Sequence, residues 1–204
     1  MPKSKQPGPP GRLVALEGLR HSALLESGGQ LLRALDGPKS RGGVSVWDAS
    51  GIFFELSRSE DGKGIPSAKT LLLLYASDLV FRLRWEIQPA LNQGLTVVVA
   101  PYVQTAFAAG LAAGVPKPWI ASLFDFAPKP NETFRLHEKS SPDGWTGKRR
   151  GGFAEFVCAC LGSLSDRVDQ AALRDRMLAH LAKIEKGKHY RELTPKVLKK
   201  STAK

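Results

Sequence analysis

The stretch Arg12–Leu35, RLVALEGLRHSALLESGGQLLRAL, decides the reading of the fold. It opens on Leu13-Val14-Ala15-Leu16, a continuous apolar run. Such a run is what a strand of a parallel sheet looks like, because helices cover both of its faces. Glu17-Gly18-Leu19 reads as a loop, and the residues beyond it carry the apolar spacing of a helix. Farther along, Leu95-Thr96-Val97-Val98-Val99-Ala100 forms a second run, β-branched and bounded by Gly94 and Pro101. A long helical pattern precedes it. The alternation predicts an α/β fold, a three-layer parallel sheet with helices on both faces. Ligands of open parallel sheets bind beyond the carboxyl ends of the strands. The segments that matter for chemistry are then Glu17–Leu25, Asp48–Gly51 and Ala100–Thr105.

A strand, a Gly-led turn and a helix are also the frame of the phosphate-binding loop G-x-x-x-x-G-K-[ST]. Laid over that motif, Gly18 takes the first position, with Ser22 inside the loop. The second glycine falls on Ala23, the lysine on Leu24 and the hydroxyl residue on Leu25. The lysine of such a loop brings positive charge to the phosphates, and the hydroxyl holds Mg²⁺. Leucine has neither. A charge-assisted hydrogen bond is worth about 1.5–3 kcal/mol, so its loss weakens binding by about 10- to 150-fold. The plainer reading of the same stretch is a strand-ending Gly18 followed by an ordinary amphipathic helix.

Composition sets the outer bounds. The 204 residues are most simply one domain, and 42% hydrophobic content suits a globular chain. No apolar run reaches the ~20 residues that span a bilayer, and the start MPKSKQPGPPGR has no apolar segment. The expectation is a cytoplasmic protein with no membrane partner. Residues 1–11 read as a disordered leader, 12–186 as the folded domain and 187–204 as a basic tail. The net charge is +11, with 30 Lys and Arg against 19 Asp and Glu. Part of the excess is at the end: Lys183, Lys186, Lys188, Arg191, Lys196, Lys199, Lys200 and Lys204 face only Glu185 and Glu192. Such a tail binds nucleic acid non-specifically or stays solvated, and the solvated reading is favoured. Cys158 and Cys160 lie in the apolar run FAEFVCACLGSL and read as buried free thiols. His21, His137, His180 and His189 make no i, i+4 pair, so no metal site is expected.

Along the chain, Val44–Trp47 reads as a strand closed by the turn Asp48-Ala49-Ser50-Gly51. Ile52–Leu56 is either helical or extended. Ser67 is placed to cap a helix over 68–92, ended by Gly94. That helix carries Leu71-Leu72-Leu73-Leu74-Tyr75, Leu79, Val80, Leu83 and Ile87, an apolar face too wide for one surface to cover. Pro116–Phe126 reads as one short helix, Glu132–His137 as a further strand, and 153–161 and 166–186 as closing helices.

Three blocks of the chain resemble the thymidylate kinases. Val14-Ala15-Leu16-Glu17-Gly18-Leu19 is similar to the strand and turn that begin that family. Tyr75-Ala76-Ser77-Asp78-Leu79, with Ile87-Gln88-Pro89-Ala90-Leu91 and Gly94, resembles its F-A-A-D-R…I-x-P-A-L…G helix. Val97-Val98-Val99-Ala100-Pro101-Tyr102 resembles its strand ending in D-R-Y, and Lys129-Pro130-Asn131-Glu132-Thr133 the start of its next strand. The resemblance implies a P-loop kinase-like fold and a homodimer through helix 68–92. It also implies that the chemistry is depleted. The loop lysine and hydroxyl become Leu24 and Leu25, the helix arginine becomes Leu79, and the Asp-Arg of D-R-Y become Ala100 and Pro101. The arginine expected before Gly114 becomes Ala113. Glu17, Gly18, Ser22, Ala23, Leu24 and Leu25 are then a vestigial phosphate loop, and Asp48, Asp78 and Tyr102 a vestigial nucleotide site. Lys148, Arg149 and Arg150 are the basic residues of the lid region.

The expectation is a degenerate member without catalytic residues, needing no cofactor and acting as a scaffold or regulatory protein through an unidentified protein partner. The alternative is a dTMP kinase with an altered ATP site, using ATP and Mg²⁺. A second alternative is a basic protein that binds nucleic acid or another polyanion through its tail.

Overall fold

The computed structural model describes residues 10–58, 66–136, 152–164, 169–183 and 190–193. Five parallel strands make one sheet in the order β2-β3-β1-β4-β5. They are β1 (Arg12–Glu17), β2 (Gly43–Val46), β3 (Thr96–Ala100), β4 (Glu132–Leu136) and β5 (Tyr190–Leu193). Between them lie α1 (His21–Asp36), α2 (Ile52–Arg58), α3 (Ala68–Arg82), α4 (Gln88–Asn92), α5 (Val103–Ala112), α6 (Lys117–Leu123), α7 (Phe153–Leu164) and α8 (Gln170–Lys183). This is the parallel α/β architecture expected from the sequence.

The side-chain alternation of β1 and β3 builds two cores. Leu13, Ala15, Val97 and Val99 join the larger one, with Leu71, Leu72, Tyr75 and Leu79 of α3 and Phe153 and Phe156 of α7. Val14, Leu16, Val98 and Ala100 face the other way and meet Leu24 and Leu31 of α1. Helices thus cover both faces, which explains why these strands read as unbroken apolar runs.

The long helix is capped where the sequence places the cap: the Ser67 side chain accepts from the Thr70 N–H. It is not uniform. Leu83–Ile87 is a π-helical turn joining α3 to α4, in which the Gln88 N–H bonds to the Leu83 carbonyl. Pro89 follows, with no N–H for the next bond and a ring that crowds the preceding turn, and the wider turn takes up that misfit. Gly94 adopts φ 76°, the left-handed conformation of a residue past a helix end.

Three boundaries differ from the sequence reading. Trp47 lies past the end of β2, already in the Asp48 turn. Ile52–Arg58 is helical, which settles the open alternative. Tyr190–Leu193, within the stretch read as a solvated basic tail, pairs with β4 through Thr133↔Tyr190 to Leu136↔Leu193. Arg135 bridges to Glu192 across that pair at 2.7 Å. The leader up to residue 9, the lid cations Lys148, Arg149 and Arg150, and the rest of the tail lie outside the described residues.

Candidate functional site

The strand order puts the crevice of the sheet between β1 and β3, where successive connections leave in opposite directions. Glu17 ends β1 at that crevice, and α5 begins there just after β3. The two are joined directly. The Glu17 carboxylate accepts from the backbone N–H groups of Tyr102 (3.3 Å), Gln104 (3.0 Å) and Thr105 (2.9 Å). The Thr105 hydroxyl donates to it at 2.6 Å. An N-terminal helix turn is a ready site for an anion. Here the chain's own carboxylate fills it. Glu17 is fully buried, and burial pushes its carboxyl above the usual range, opposed by these hydrogen bonds.

The turn between β1 and α1 is short. Only Gly18, Leu19 and Arg20 separate the strand from a helix that starts at His21. The Leu24 N–H already bonds to the Arg20 carbonyl at 3.0 Å. Positions 21–25, which the phosphate-loop motif would place around a phosphate, therefore lie on the helix. Leu24 is 1% exposed and packs with Val14, Leu16, Leu31, Val98 and Phe134. Ala23 is half-buried beside the same cluster, while Ser22 and Leu25 face outward. Gly152, at the start of α7, presses on this turn: a Cβ there would meet His21 Cβ at 3.1 Å and the Leu19 carbonyl at 3.3 Å.

Asp48 and Asp78 come together, the Asp78 carboxylate accepting from the Asp48 N–H. Asp48 takes φ 60°, and its carboxylate accepts from the N–H groups of Phe53 and Phe54, both at 2.8 Å, holding the start of α2. Burial raises its carboxyl, with Asp78 adding to the rise. Asp78 accepts from the Asp48 N–H at 3.0 Å and from the Ser50 N–H and hydroxyl at 2.9 and 2.8 Å. Its charge is balanced by Arg82, one turn on, at 3.0 Å with both side chains fully buried. Arg82 also donates to the Pro101 carbonyl at 3.3 Å. The Tyr75 hydroxyl lies 2.9 Å from both the Pro101 and Tyr102 carbonyls. The Tyr102 hydroxyl donates to the Pro128 carbonyl at 2.7 Å. Over this polar seam, Trp47, Phe53, Tyr75, Phe153 and Phe156 interlock with ring centroids 4.3–6.3 Å apart.

Arg82 escaped the sequence reading, while Ser50 and Thr105 lay inside the segments marked for chemistry but had no role assigned. Arg82 had a signal in the i, i+4 spacing from Asp78. Thr105 had none, since it meets Glu17 only through the tertiary fold.

These residues do not fit a triphosphate–Mg²⁺ in the phosphate loop. The lysine position is a core leucine, and the hydroxyl position is an exposed one. The Asp78 and Glu17 carboxylates are engaged by the chain's own N–H groups. Among the described residues, no group of three or more His, Cys, Asp or Glu gathers as a metal site.

Strand order and covering helices define the class: a P-loop kinase-like α/β protein. No family model matches the chain. Over 128 residues it is 30% identical to "Probable thymidylate kinase 2" of Saccharolobus solfataricus, a match that spans 62% of this chain and 59% of that protein. The chain is thus thymidylate-kinase-like. No helix among the described residues is long and apolar enough to cross a membrane.

Proposed function

We propose that this thymidylate-kinase-like chain is a pseudoenzyme that works as a scaffold through protein contacts. The observation that carries the reading is Leu24. A buried aliphatic side chain, on a helix that has already begun, stands where a kinase loop needs a cation facing phosphate. Charge stabilisation is most of phosphoryl-transfer catalysis, so this is the group whose loss costs most. The reading assigns the exposed apolar face of α3 to a second copy of the chain.

The likeness to a protein named as a probable thymidylate kinase favours a second reading, a dTMP kinase with an altered ATP site.

Thermal unfolding with ATP–Mg²⁺ and, separately, with dTMP distinguishes the two. A ligand at 100 times its dissociation constant stabilises by about 2.7 kcal/mol, a shift of a few degrees. The scaffold reading expects no shift with ATP–Mg²⁺ and no ADP formed in the presence of dTMP. A saturable shift with ATP–Mg²⁺ and accompanying ADP release would overturn it in favour of the kinase.

A further inference from the structure

The groove between α5 and α8 begins beside the carboxyl edge just described, at Val103 and Gln104, and runs along the outer side of α5 to α6 and the end of α8. One side of α5 is locked into the core: a Cβ on Gly110 would meet Ile120 Cδ1 at 2.7 Å and Leu72 Cδ1 at 2.8 Å. Val103, Phe107 and Leu111, only half-buried, instead floor a cavity of about 590 Å³, with Gln104 at one end. Its rim is basic. Lys117 comes from α6, and His180 and Lys183 from α8. Among the described residues no acidic one lines it, and none of these three basic side chains makes an ion pair.

Helix energetics account for part of this pattern. His180 and Lys183 stand in the last turn of α8, where cations suit the helix dipole. Lys117 does not fit that explanation. It opens α6, the end at which a cation is disfavoured. Its placement adds a cation from a separate element to the same apolar floor. The volume falls in the range of small-molecule pockets, which are apolar with a few convergent polar groups. It is far larger than an inorganic anion requires.

We infer that the α5–α8 groove binds an amphiphilic organic anion, a small molecule with an apolar body over Phe107 and Leu111 and a phosphate, carboxylate or sulfonate head held by Lys117 and Lys183. The full chain is titrated with anilinonaphthalene sulfonate, read by its fluorescence, and with the uncharged phenylnaphthylamine. Saturable binding of the sulfonate is expected, at least about tenfold tighter than the uncharged analogue. Lys117→Glu/Lys183→Glu should weaken it by at least about tenfold. Lys39→Glu/Arg41→Glu makes the same change in net charge on an exposed loop and should change it less than about twofold. Hexyl phosphate should displace the probe while hexanol does not, a comparison that needs no variant. Equal losses in both charge variants, binding insensitive to Lys117→Glu/Lys183→Glu, displacement by hexanol, or no saturable binding would each overturn the inference.

Discussion

Glu17 sits out of reach of solvent, yet donors from the first turn of α5 converge on its carboxyl group. Those donors suit the carboxylate, while burial disfavours charge and wins, so the folded protein holds the proton more tightly than the ordinary value of 4.5. The sign follows by linkage. Stability from this group is fully present below pH 4.5 and declines as pH rises through the higher folded value. Glu17→Gln removes the titration and turns an amide donor toward N–H groups, costing about 1–3 kcal/mol near pH 4.5. The gap between wild type and variant should then narrow as pH rises toward about 8, read from melting temperatures. Asp48 is shifted in the same direction but is present in both proteins, so the difference isolates Glu17. A gap that widens with pH would refute the assignment of the shift to burial.

α1 poses a sharper question about the phosphate loop, because two adjacent leucines of the motif have opposite environments. Leu24 is in the core and Leu25 is 43% exposed. Leu24→Lys, which restores only the lysine of the motif, buries an unpaired ammonium and should cost about 3–5 kcal/mol in urea unfolding. Leu25→Ser should stay within about 0.5 kcal/mol. A tolerated Leu24→Lys would mean the turn can open and that the kinase frame is latent rather than filled. The elements legible in the sequence were those with long apolar signals: β1 and β3 as unbroken runs, and the helical stretch from the Ser67 cap to Gly94, which the structure divides into α3, a π-helical turn and α4. β5 was illegible because Tyr190-Arg191-Glu192-Leu193 is short and charged, although Leu193 is buried in the smaller core. α2 was ambiguous because Ile52-Phe53-Phe54 suits strand or helix, and the Asp48 carboxylate decides it by taking the Phe53 and Phe54 N–H groups. The acids of the site could be named from sequence. Their partners could not, since Thr105 reaches Glu17 only after β3 is laid beside β1.

For the molecule as a whole, one unsatisfied feature among the described residues is the outer face of α3 and of the π-helical turn that continues it. Leu73, Val80, Phe81 and Trp85 are 48%, 49%, 39% and 63% exposed. They recur at helical spacing on one side, with Ser77 and Arg84 between them, and the Arg84 guanidinium lies over the Trp85 ring at 5.3 Å. The opposite side of the same helix holds Leu71, Leu72, Tyr75 and Leu79 in the core, so the element is apolar on both sides. A surface of large apolar side chains in a single row is what a partner helix covers. A second copy is the occupant proposed above. Sedimentation at micromolar concentration should give a dimer, whose interface would have to bury about 800 Å² per subunit to be stable. Phe81→Glu/Trp85→Glu places two charges on that row. Both side chains are exposed in the single chain, so its own stability should change by no more than about 1 kcal/mol. The dimer, which would desolvate both charges, should weaken by about 100-fold or more. A wild-type monomer at these concentrations, or a double variant that still sediments as a dimer, would remove α3 as the contact and leave its apolar row to a different partner.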